Sequence, residues 1–449
     1  MDYDLTNTPL RTFLDHRQGF GDGNDSPRAY LEDCISRIVD LDGGVKAFVA
    51  LNLSGAREAA DAATGRYRAG APISAVDGMP IGIKDIIETR DMPTQMGSPI
   101  YDGWHSHRDA ASVRALREAG AVIIGKTVTT EFATTTPGPT HNPFDLARTP
   151  GGSSSGSAAA VGVGMIPAAL GTQVVGSILR PASYCGCFGF KPTVGAINRG
   201  GSHDALSQSC HGVIAASLAD NWAVMRAIVV RVGGDPGYPG LMGEDALATA
   251  ARPKKLIRLD TDGWTDAEDV ARDQFEDTLK RLAAAGVEII TRRDDAAVEA
   301  LEAALLEATP VTRAVNAWES RWPLNDYRDR EVDQLSSHMH ERLDQAEAMT
   351  LDDYRGALGT REEARNKWRA LQGTADGFVT LSATGPAPMG LGSTGDPTFN
   401  APASLLGVPA LTLPVMAADG LPLGLQLLGF HDGDEKLFAH AGWVMEALG

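Results

Sequence analysis

Serines at two glycine-framed positions, Ser153-Ser154 after Gly151-Gly152 and Ser177 after Gly176, mark residues 151–192 as the place where this chain could do chemistry. Hydroxyls brought together beside free backbone N–H groups are the apparatus for attack on a carbonyl carbon. Ala158 to Val163 and Met165 to Leu170 read as buried apolar segments between glycine turns, so the stretch is not linker. Small residues there let backbones approach closely.

Two pattern matches compete with that reading. Gly152-Ser153-Ser154-Ser155-Gly156 fits G-x-S-x-G, which makes Ser154 the nucleophile of an α/β-hydrolase elbow. An elbow needs a strand running into the serine, whereas Arg148-Thr149-Pro150-Gly151 is a turn. Gly120 to Thr127 fits the phosphate-loop pattern G-x-x-x-x-G-K-S/T letter for letter. Ser112 to Ala119 has helical spacing, Gly120 caps it, and the interior Ala121-Val122-Ile123-Ile124 reads as a short buried strand rather than a loop. No nucleotide is expected there.

A third chemical group is Lys84, inside the run Gly78-Met79-Pro80-Ile81-Gly82-Ile83-Lys84-Asp85-Ile86-Ile87. A central strand would bury the lysine and disfavour its ammonium, turning it into a neutral base. An edge strand would leave it in solvent, and taken alone that is the commoner fate of a lysine.

The elements that must position these groups come from a chain of 449 residues, 43% hydrophobic and 6% aromatic, with 50 glycines. That suits a closely packed large α/β enzyme, and no Pro/Ser-rich or charge-block linker divides it. A formal charge of −18 argues against a nucleic-acid or anionic-membrane surface. Four cysteines in so long a chain make no disulfide framework, and Cys185-Gly186-Cys187 lacks the second half of a metal site. The start, MDYDLTNTPL, has no basic region followed by an apolar core, and no apolar run reaches a membrane span; a cytoplasmic protein is expected.

In order, residues 1 to about 27 read as polar and loosely held. Tyr30, Leu31, Cys34, Ile35, Ile38 and Leu41 then recur at helical spacing, with Gly43-Gly44 ending the helix. Val45 to Leu51 reads as a strand and Gly55 to Arg68 as a helix. Residues 294–370 are charged, helical and poor in strand pattern, and carry Trp318, Trp322, Tyr327 and Tyr354. They are expected to cover the mouth of the site, with a structural or homodimer face as the alternative. Asp376 to Leu381, Ala410 to Pro414 and Leu423 to Leu428 read as strands and Asp434 to Leu448 as a closing helix.

Taken together, Lys84, Gly151-Gly152-Ser153-Ser154, Gly171-Thr172, Gly176-Ser177, Arg180-Pro181-Ala182, Gly189-Phe190-Lys191-Pro192, Asn400 to Leu406, Gly407-Val408-Pro409-Ala410 and Gly420 to Gln426 resemble the amidase signature family. Lys84-Asp85-Ile86-Ile87, the run Gly152 to Ser157 and Ser393 to Pro397 look most like its malonamidase branch of bacterial amidases. The resemblance implies a single α/β domain over residues 1–449, with a central mixed β-sheet flanked by helices, and an amide hydrolase needing neither metal nor other cofactor.

It also implies roles. The family's catalytic set maps onto Lys84, Ser153, which carries a cis peptide bond after Gly152, and Ser177 as nucleophile. The chemistry is sensible in itself: Ser153 can take the proton of Ser177 and hand it to a neutral Lys84, then reverse the relay toward the leaving nitrogen. The oxyanion hole falls on the N–H groups of Val174, Val175, Gly176 and Ser177. Here the chain departs from the family, which carries a glycine where Val175 stands; at positive φ a valine would be strained, at negative φ it would only narrow the pocket. Arg180 matches a substrate-carboxylate clamp of the malonamidase branch, a role suited to a planar guanidinium, with an internal ion pair as the alternative. His203 and His211 read as pocket wall or satisfied core groups.

The expected partner is a small amide, carboxylate-bearing and malonamate-like. Two alternatives stand beside it: the amidase subunit of a glutamine-dependent tRNA amidotransferase, which shares these motifs, and a binding descendant without catalysis, raised by Val174 and Val175.

Overall fold

Alternation along the strands sorts the side chains that matter. In the computed structural model, which describes residues 3–449, Pro80–Lys84 forms strand β2, buried along its whole length. Ile81 and Ile83 face a core that includes Trp222 and Met225. Gly82 and Lys84, one residue out of phase, therefore face the opposite side. That side is packed by the helix Ser155–Gly162 with its Ala158-Ala159-Ala160-Val161 run. Lys84 is thus aimed at the helix that begins just after the Gly-Gly-Ser-Ser turn.

The sheet has eleven strands. β1 (Phe48–Leu51), β2, β3 (Val122–Thr127), β4 (Ala168–Gln173), β5 (Phe188–Lys191) and β6 (Cys210–Ala215) make one half. β7 (Lys255–Arg258), β8 (Glu288–Ile290), β9 (Gly377–Leu381), β10 (Ala410–Ala418) and β11 (Leu421–Leu428) make the other. Their spatial order is β1-β3-β2-β4-β6-β5-β10-β11-β9-β7-β8. β2 runs parallel to both neighbours, β3 and β4, and β7 is parallel to β8 and β9, while the middle of the sheet is antiparallel. Helices cover both faces, so the chain is a single α/β domain with a large mixed sheet. No helix among the described residues is long and apolar enough to cross a membrane.

β3 decides the phosphate-loop match. Gly120 follows the helix Ala111–Glu118, and Val122–Thr127 is a fully buried strand. Lys126 Nζ lies 3.0 Å from Asp85 and donates to Ile87 O at 2.9 Å and Thr94 Oγ1 at 2.7 Å. Every hydrogen-bonding direction of this ammonium is spent inside the protein.

Two expectations are corrected. The segment before residue 27 is docked, not loose: among its described residues Tyr3, Phe13 and Phe20 are buried, Phe13 completely, and a helix spans Leu14–Gly21. The second helix also runs through Gly43-Gly44 to Val45, which is buried, so β1 starts only at Phe48. Lys46 in the left-handed region ends it, and the Asp42 carboxylate accepts the N–H of Ala47 at 2.6 Å. Burial of Val45 and this cap outweigh the roughly 1 kcal/mol that each helical glycine costs.

Residues 294–370 form the helices Ala296–Leu305, Ala308–Glu331, Ser337–Ala348 and Leu351–Ala370. The second and third of these contribute side chains to the cavity that Ser177 lines.

Candidate active site

Lys84 sits at the end of a central strand, fully buried, which excludes the solvent-facing edge reading. Its Nζ donates to Ser153 Oγ at 2.8 Å, to Thr172 Oγ1 at 2.8 Å and to Thr172 O at 3.3 Å. Burial pushes its pKa down to about 7, with the charge of Asp204 opposing the shift. Near neutral pH this lysine can therefore give or take a proton.

The serine turn is fixed from several sides. The Gly152–Ser153 peptide bond is cis. The next residue, Ser154, donates its N–H to the carbonyl of Ser177 at 3.2 Å, joining the turn to the segment that carries Ser177. Ser154 Oγ is buried against Thr172, near its O at 3.3 Å and its N at 3.4 Å. With that hydroxyl spent on structure, and a turn where a strand should enter, the α/β-hydrolase elbow is excluded. The helix Ser155–Gly162 can lie close to the sheet because of Gly156, where a Cβ would come within 2.1 Å of Ala47 O.

Ser177 is partly exposed in the wall of the cavity, and among the described residues its Oγ has no protein hydrogen bond. The loop before it is shaped by Gln173, a buried side chain whose part the sequence did not disclose. Gln173 Oε1 accepts the N–H of Ile178 at 2.9 Å and of Leu179 at 3.1 Å, while its Nε2 donates to Val175 O and Ser404 Oγ, both at 3.1 Å. Among the described residues, no protein acceptor takes the N–H groups of Val174, Val175, Gly176 or Ser177. Four free donors in succession are suited to a developing oxyanion. Val175 is not among the residues with positive φ, so its branched side chain is unstrained and merely lines the cavity. Gly176 leaves no room for a larger residue, since a Cβ would meet Asn400 Oδ1 at 2.7 Å and Arg180 Nη1 at 3.1 Å.

Arg180 has no carboxylate partner among the described residues, so the internal ion pair is not what holds it. Its Nε donates to Thr394 O at 2.7 Å and its Nη2 to Gly152 O at 2.8 Å and Thr394 Oγ1 at 3.0 Å. Nη1 is buried and unpartnered, and the residue lines the cavity with Ser177. Burial holds its pKa below the usual arginine value.

Asp204 is a site group that no sequence pattern singles out. It is buried in the cavity wall, accepts from Ser202 Oγ at 2.6 Å, and leaves Oδ2 without a donor at hydrogen-bonding geometry. Burial would raise its pKa, but Lys84 and the hydroxyls of Ser202 and Thr172 outweigh that and hold it below the usual carboxylate value. The signal lay in no motif, because Asp204 meets Lys84 only through the tertiary fold. His203 is pocket wall, its Nε2 2.9 Å from Glu88 and its ring against Trp104. His211 is buried but not satisfied: neither ring nitrogen has a protein partner, and burial pushes its pKa down to about 4.

Against known proteins, the Amidase family model matches residues 29–438. The A subunit of the glutamyl-tRNA(Gln) amidotransferase of Anaeromyxobacter sp. (strain K) is 32% identical, over 93% of this chain and 92% of that relative. The homologous subunit of Salinispora arenicola is 30% identical over 95% of each chain. Among solved structures, an amidase superposes with a TM-score of 0.83 at 28% identity, over 98% of this chain and 100% of the other. A protein from a vestigial complex, described for the origins of an s-triazine catabolic enzyme, gives 0.85 at 26% identity, over 98% and 99%. The match spans the strand bearing Lys84, the Gly-Gly-Ser-Ser turn and the segment of Ser177 alike, and the chain belongs to the amidase signature family of hydrolases acting on carbon–nitrogen bonds.

Proposed function

We propose that this chain cleaves a small carboxylate-bearing carboxamide to the acid and ammonia through an acyl-enzyme on Ser177. Ser177 Oγ attacks the carbonyl carbon as its proton passes to Ser153 and from Ser153 to neutral Lys84. The N–H groups of Val174 to Ser177 receive the oxyanion. Lys84, now an ammonium, returns the proton through Ser153 to the leaving nitrogen, and ammonia departs as the C–N bond breaks. Water then attacks the ester, losing its proton along the same relay, and Ser177 is regenerated. The observation that carries this reading is the 2.8 Å contact of buried Lys84 Nζ with Ser153 Oγ.

An acidic substrate is supported by charge. Arg180, whose Nη1 is buried without a partner, lines the cavity together with Arg313, and Arg313 forms no ion pair among the described residues. Malonamate is the probe of this preference. The test is ammonia release from malonamate and from propionamide by wild type and Lys84→Ala. Turnover that favours malonamate and falls about a hundred- to ten-thousandfold in the variant supports the reading. Equal rates in the two proteins would sink it.

A second reading is favoured by the 32% identity to amidotransferase A subunits: the chain would release ammonia from an amide beside a partner subunit. It predicts little turnover by the chain alone and recovery with a partner. The non-catalytic alternative loses its motive, since Val175 sits at negative φ and strains nothing.

A further inference from the structure

The cavity holds about 530 Å3, while a malonamate-sized acid fills roughly the space of four waters, about 120 Å3. A substrate spanning from Ser177 to Arg180 alone leaves most of the chamber empty. One wall comes from the helices Ala308–Glu331 and Ser337–Ala348, and in it lies Arg342.

Arg342 has the marks of a cation waiting for an anion. Its Nε and Nη2 reach Ser320 Oγ, both at 3.2 Å, and Nη2 reaches Asn316 O at 3.3 Å; these are long contacts to neutral groups. Among the described residues no carboxylate pairs with it. Asp344 and Glu347 on the same helix are taken by Arg328, and the exposed neighbour Glu341 forms no ion pair with it. The side chain is half-buried, and this partial desolvation pushes its pKa down to about 10. A half-buried guanidinium with only neutral partners among the described residues gains from an anion placed beside it in the cavity. Nη1 is the nitrogen for which no protein acceptor is found among the described residues, and its N–H groups are the donors left for a carboxylate.

We infer that Arg342, in the wall made by these two helices, is a specificity-determining anion site, so the preferred substrate is a longer ω-amide of a dicarboxylic acid, its carboxylate on Arg342 and its amide at Ser177. The inference rests on the hydrolase reading for its orientation, but not for the binding itself.

The test uses the chain with glutaramate and adipamate, against valeramide and hexanamide as neutral amides of matched length. The carboxylate-over-neutral ratio of kcat/KM should be larger for these acids than for malonamate over propionamide. It should fall about ten- to a hundredfold in Arg342→Met and recover in part in Arg342→Lys. Binding of adipate to Ser177→Ala protein, measured by calorimetry, should weaken by a similar factor when Arg342→Met is added. The melting-temperature increment given by adipate separates this from a structural role: adipate should raise the melting temperature of the Ser177→Ala protein and lose most of that effect when Arg342→Met is added, whereas a merely structural arginine leaves the increment as it is. An unchanged ratio together with unchanged adipate affinity overturns the inference. If no amide is turned over, the hydrolase reading fails, and adipate affinity with and without Arg342 still decides the site.

Discussion

The backbone N–H of Ser154 donates to the carbonyl of Ser177 at 3.2 Å. One main-chain bond thus holds the Gly-Gly-Ser-Ser turn against the segment that carries Ser177, the proposed nucleophile, and the adjacent serines Ser153 and Ser154 have different partners. Ser153 faces Lys84, while Ser154 holds the frame through Thr172.

Replacing the hydroxyls of Ser177 and Ser154 should have opposite signatures. Ser177→Ala is expected to lower kcat about ten-thousandfold or more, because the atom that carries the acyl group is gone. Ser154→Ala keeps substantial turnover and loses about 1 kcal/mol of stability, read by urea unfolding, since its hydroxyl meets only Thr172.

The pH profile should report Lys84. The neutral amine is the base, so kcat/KM rises about tenfold per pH unit below the lysine's pKa and levels off above it. With that pKa about 7, the midpoint lies near neutrality. Asp204 is the anion that opposes the shift, and His211, pushed down to about 4, adds no charge in this range. Asp204→Asn removes support for the ammonium, so the Lys84 pKa drops and the acid limb moves to lower pH. A purely structural Asp204 would change the plateau or the melting temperature and leave the midpoint where it is.

Gln173→Leu tests the loop. It removes the acceptor for the N–H groups of Ile178 and Leu179 and the donor to Val175 O and Ser404 Oγ. Buried groups left unpaired should cost about 2 kcal/mol or more in chemical denaturation. A displaced oxyanion site should lower kcat about a hundredfold with little change in KM.

Arg180→Lys is expected to reduce the preference for malonamate over propionamide about tenfold, because an ammonium cannot reproduce the fork. Both rates fall, since Arg180 also holds Gly152 O and Thr394. The ratio of the two rates, rather than either alone, therefore separates clamp from scaffold.

Local pattern served the sequence reading where local pattern determines structure. The isoleucine run around Lys84, the helical spacing of residues 112–119 and the apolar interior of the phosphate-loop mimic all lie where their periodicity put them. It failed where packing overrides propensity, as at Gly43-Gly44, and at Phe13 and Phe20, whose short polar surroundings hid two buried rings. The helix Leu218–Val232 has legible ends in Ser217 and Gly233, whereas the strands Phe188–Lys191 and Cys210–Ala215, buried on both faces, show no alternation that marks them. Their polar members, such as Lys191 and Asn221, are buried through partners distant in sequence, including Val408 O for Lys191. Gln173 and Asp204 stand beside residues the sequence does single out, Thr172 and His203, yet their own parts, like that of Arg342, come only from what the fold lays beside them.

The central claim is that Ser177, relayed through Ser153 to Lys84, forms the acyl-enzyme. Its most direct measurement is mass spectrometry of the protein quenched during turnover of an activated ester or anilide, with the acylated residue located by peptide mapping. The acyl mass on Ser177 in wild type, and its absence in Ser177→Ala, is the predicted result. An acyl group on Ser154, or steady turnover by Ser177→Ala with no adduct anywhere, would contradict the account.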